Sequence, residues 1–148
     1  MTELDLIGPL FVSAFLGALL GLERSVAGKS AGMRTYALVS LGSCLFVVVG
    51  TLSSFALSGF PGVNPLQIAG SIVIGIGFIG AGLAALKGEH QELTTASGIW
   101  VAAGVGMACG FGFYLAAATA TILGLTIFSL FLRIENAIRR RAGSQEES

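Results

Sequence analysis

Between two long apolar runs the chain places Glu23, Arg24, Lys29 and Arg34 within twelve residues, with Thr35 directly after them. A guanidinium presents a planar fork of donors, so Arg24 and Arg34 suit phosphate or carboxylate. Glu23 brings the opposite chemistry. Mg²⁺ takes oxygen ligands, commonly one or two carboxylates beside retained waters, and Glu23 is the only acid close to a span at this end, hence the sole metal candidate. Orienting a protein in a bilayer needs only the basic residues. The acid and the threonine therefore point to a structured polar cluster that binds a headgroup, a phosphate, an ion or a partner. Thr94 and Thr95, just before a later apolar run, fit the N-cap of a helix and are placed to meet this first loop.

Other chemistry is thinly supplied. His90 stands with Glu89 and Glu92 in the short connection "LKGEHQEL", where a solvated histidine is the expected state. No serine or cysteine matches it in a nucleophile motif, so neither an enzyme nor a cofactor is expected. Cys44 and Cys109 lie inside apolar runs and read as small buried hydrophobes. Gly75, Gly77 and Gly80 spell GxGxxG, but mid-span and with no strand before them, which is not a dinucleotide fingerprint. The net charge of zero comes with no basic, aromatic-interleaved patch, so no nucleic acid is expected as a partner.

The elements that must hold these residues follow from composition. Of 148 residues only 11% are charged, against about 25% in soluble domains, and mean hydropathy is +0.87. The solvent is lipid. Uncharged runs cover 6–22, 36–60, 68–86 and 93–132. The last would make a helix of ~60 Å, twice the ~30 Å hydrocarbon core, so it must fold back. Gly110 and Gly112 in "CGFGF" offer the break, giving spans 93–109 and 113–132. The expected fold is all-α, a polytopic membrane protein with five transmembrane helices.

With five spans, all eight basic residues fall on one face: Arg24, Lys29 and Arg34, Lys87, and the tail residues Arg133, Arg139, Arg140 and Arg141. The positive-inside rule assigns that face to the cytoplasm, with the N-terminus out and the C-terminus in. The acidic start "MTELDL" is unlike the basic head of a cleaved signal peptide and is kept as mature chain. A transmembrane domain over 1–132 and a basic, then polar, cytoplasmic tail over 133–148 are expected. Small residues let helix backbones approach in lipid. Gly17 and Gly21 on the first helix, and Gly75, Gly77, Gly80 and Gly82 on the third, are the expected packing positions, with the third helix central.

Four blocks in order, "GLER", "AGMRTYALVSLGSCLF", "GIGFIGAG" and "LTTASGIWVAAGVGMACG", resemble the transmembrane domain of the MgtC/SapB family of bacterial membrane proteins. The resemblance maps the family's Glu-Arg onto Glu23 and Arg24, its Ala-Gly-Leu-Arg-Thr onto 31–35 with Met33 for leucine, its glycine motif onto 75–82, and its Leu-Thr-Thr block onto 93–97. It implies a multi-pass protein of the bacterial inner membrane, here a short member without the C-terminal soluble domain, linked to growth at low Mg²⁺. No ionisable residue sits at the centre of any span, although ion paths normally need one. That favours a protein that binds and modulates a membrane-protein partner. The alternatives are an Mg²⁺ or ion permease formed by a homo-oligomer, and a protein that binds lipid headgroups through Arg24 and Arg34 among the membrane lipids.

Overall fold

The computed structural model describes residues 3–56, 64–87, 91–134 and 137–138. Among them the chain is helical throughout and has no strand: α1 Glu3–Val26, α2 Met33–Ala56, α3 Pro65–Lys87, α4 Gln91–Gly110 and α5 Tyr114–Thr126, which continues into a π-helical turn, Ile127–Phe131. Five helices are long and apolar enough to cross a membrane, so the expected fold is borne out. His90 and Glu89 lie outside the described residues, as do Arg139, Arg140 and Arg141.

Two turns show how the sequence ends its helices. After α1 the Lys29 amide donates to the Arg24 carbonyl and the Gly28 amide to that of Ser25. Gly28 sits at φ +65°, the left-handed position such a cap requires. The Ser25 hydroxyl then accepts the Met33 amide, 2.9 Å away, at the start of α2. The end of α4 repeats the pattern at Gly112, φ +80°, with the Phe113 amide donating to the Ala108 carbonyl. The fold-back anticipated at "CGFGF" is there, at its second glycine.

Packing rests on small residues. A Cβ at Gly17 would stand 2.6 Å from the Ser40 Cβ, and one at Gly21 would stand 2.6 Å from the Met33 Cα, so α1 and α2 lie backbone against backbone. Gly106 and Gly110 do the same for α4 on α2, and Gly124 admits Leu20 of α1 against α5. The innermost side chains come from α1, α2 and α4, including Leu20, Tyr36, Cys44, Ile99 and Cys109. Several hydroxyls within the spans are satisfied locally: those of Thr51, Ser71, Thr119 and Thr126 donate to the carbonyl four residues back. Water is scarce there, which favours such bonding.

One expectation is corrected. α3 is not central but peripheral, with a far smaller buried share than α1, α2 or α4. Nothing lies within 4 Å of a Cβ placed at Gly75, Gly77 or Gly82, and Gly80 meets only Ala96 of α4. A glycine-rich helix signals close approach of something, and among the described residues that something is absent along most of α3.

Candidate functional site

The opening cluster separates into a buried half and a rim. Arg24, in the last turn of α1, is 3% exposed, and its Nε donates to the Glu23 carboxylate. Its guanidinium carbon lies 4.1 Å from the centre of the Phe128 ring, close enough for a cation–π contact. That ring meets Tyr36 edge-on, with centroids 6.5 Å apart and planes at 80°. The Tyr36 hydroxyl donates to the Thr95 carbonyl, 3.2 Å away. Four helices thus converge on one stack. Glycine at 98 makes this possible, because any Cβ there would run into the Tyr36 hydroxyl and the Phe128 ring tip.

The rim holds the remaining expected residues. Arg34 and Thr94 are exposed and Thr35 is half-buried. Glu23 pairs with Arg24, its neighbour in sequence. Thr94 and Thr95 do not cap α4, which begins earlier, at Gln91. They lie inside its first turns. Thr95 is 1% exposed, and among the described residues its hydroxyl has no hydrogen-bond partner. Among those residues no three His, Cys, Asp or Glu side chains gather where a metal ion would sit.

Thr95 supplies a direct test. A buried hydroxyl without a partner carries a desolvation cost of about 1–3 kcal/mol. Thr95→Val keeps the shape and removes the group. Its melting temperature in detergent should match or exceed that of the parent; a clear fall would show the hydroxyl to be in use.

Tyr36 and Phe128 are the residues that motif reading overlooks. Tyr36 follows Thr35 directly in "RTYAL", and an aromatic one position past a polar cluster is a usable signal. Phe128 has no such mark. It reaches Arg24 from a π-helical turn, a local widening that recurs at functional sites.

Across this arrangement, the MgtC family matches residues 10–137, covering all the residues just described. The chain belongs to the MgtC family. Among MgtC-family relatives, YhiD of Escherichia coli K12, provisionally named a magnesium transporter, is 36% identical over 82% of this chain and 58% of its own length. Protein MgtC of Salmonella typhimurium 14028s is 43% identical over 77% of this chain and 47% of its own. An uncharacterized protein of Haemophilus influenzae is 30% identical over 95% and 61%. The chain spans about half the length of the curated relatives it matches. No solved structure matches it. The expected family is therefore shown, and with five spanning-type helices the chain is a multi-pass membrane protein.

Proposed function

We propose that this protein serves Mg²⁺ homeostasis or low-Mg²⁺ adaptation in the bacterial inner membrane, with its basic end toward the cytoplasm, by binding and modulating a membrane-protein partner. The magnesium link rests on the family and on the name of the YhiD relative. The mode of action rests on one observation: the Glu23 carboxylate is engaged by Arg24, which is itself covered by Phe128. Mg²⁺ needs carboxylate oxygens that face water or substrate. An acid neutralised inside its own helix end acts as a structural lock that presents a shaped surface.

Purified protein in liposomes loaded with a Mg²⁺-sensitive dye tests this. The expected result is uptake no faster than in protein-free vesicles. Mg²⁺ uptake by the parent that disappears in Glu23→Gln, and equally in Glu23→Gln/Arg24→Met, in which no charge is stranded, would overturn the modulator reading in favour of an oligomeric permease.

A further inference from the structure

We propose that the cleft between α2 and α3 is a phospholipid site, holding one acyl chain of an anionic lipid whose phosphate lies at Arg34. The cleft measures 540 Å³ and is lined by Leu38, Gly42 and Phe46 on α2 and by Ile68, Gly75 and Ile79 on α3. Nothing lies within 4 Å of a Cβ position at Gly42 or Gly75, so the two glycines form its floor as open space.

Three features select this occupant. The first is depth. From Ile68 to Ile79 the wall runs about 16 Å at 1.5 Å per residue, close to the ~15 Å of a single leaflet. The second is placement. On α2 the lining begins at Leu38, and Arg34 lies one helical turn before it on the same face, at the basic end. Side chains on a helix tilt toward its N-terminus, so from this position Arg34 reaches outward to headgroup level. The third is charge. Arg34 is exposed and forms no ion pair with a described residue, whereas Arg24 is buried against Glu23. The N-terminus of α2, which begins at Met33, adds a positive dipole end at the same point. Of Arg24 and Arg34, the guanidinium available for a phosphate is therefore that of Arg34, and the α2 wall of the slot begins one turn further on, at Leu38.

The test is native mass spectrometry of the full chain in mild detergent, titrated separately with phosphatidylglycerol and with zwitterionic phosphatidylcholine. The parent should retain one phosphatidylglycerol per chain in preference to phosphatidylcholine. Arg34→Gln should weaken that retention about fivefold, the effect of one basic residue near an anionic surface. Gly42→Leu and Gly75→Leu fill the slot from opposite walls, into open space, and each should abolish retention of a bound lipid. Gly104→Leu, also in open space but away from the cleft, should leave retention intact and controls for a leucine added to a span. Retention unchanged in both slot variants, or no lipid held by the parent, would overturn the proposal. So would a dimer of the parent that Gly42→Leu converts to monomer, since the cleft would then receive a second copy of the chain. Either leucine variant suffices if the other fails to fold.

Discussion

Gly106→Ala should be strongly destabilising, while Gly104→Ala, two residues away, should leave the melting temperature unchanged or raise it. A Cβ at 106 would fall onto the carbonyl of Ser40, with the carbonyl carbon at 2.7 Å and the Cα at 2.9 Å. These are backbone atoms of α2, so no rotamer change relieves the clash and one helix must move. Overpacking costs about 1–3 kcal/mol when side chains can adjust, and a displaced backbone belongs at the upper end. Against a total stability of about 5–15 kcal/mol, a loss of ~3 kcal/mol is large. At 104 nothing lies within 4 Å, and alanine is the better helix former by ~1 kcal/mol. Thermal melts of the two purified variants followed by size-exclusion chromatography would read the difference. Equal melting temperatures would mean that α2 and α4 do not cross at this contact.

The second large effect belongs to the buried ion pair. Glu23→Gln should destabilise by about 3–5 kcal/mol, the cost of leaving a buried charge without its partner. The Arg24 side chain is 3% exposed and that of Glu23 is 20%, so the stranded arginine cannot reach water but a stranded glutamate partly can. Arg24→Met should therefore cost less than Glu23→Gln. The double variant should return toward the parent, because it strands neither charge. Measured as a thermodynamic cycle, the two changes should be far from additive. Additive losses would show that the pair contributes no coupling and that Arg24 is held by Phe128 alone.

Much of this architecture was legible before any coordinate. Length against bilayer thickness yields five spans, and the fold-back near the middle of 93–132 follows because a 60 Å helix has nowhere to go. The capping glycine at 112 is readable for the same reason. The position of α3 was not. Glycine content reports that a backbone can be approached closely, but not whether the approaching surface belongs to the same chain. The site was half legible. Charge concentration singled out Glu23 and Arg24, yet burial of Arg24 depends on Phe128, over a hundred residues later, and sequence spacing carries no information on that contact. Thr94 and Thr95 resembled a cap because capping residues and buried hydroxyls are chemically alike. The extra turn before the apolar run, starting at Gln91, lies beyond what polarity alone delimits.

The widened turn at Ile127–Phe131 has a bearing on how such chains are lined up with one another. A π bulge holds one surplus residue, and each residue in an α-helix advances the winding by about 100°. The residues that follow it directly, 132–134, are rotated by that amount relative to uninterrupted winding. A cousin lacking the bulge would be one position shorter here, and a gapless comparison would then pair residues about 100° apart around the helix axis from Leu132 onward.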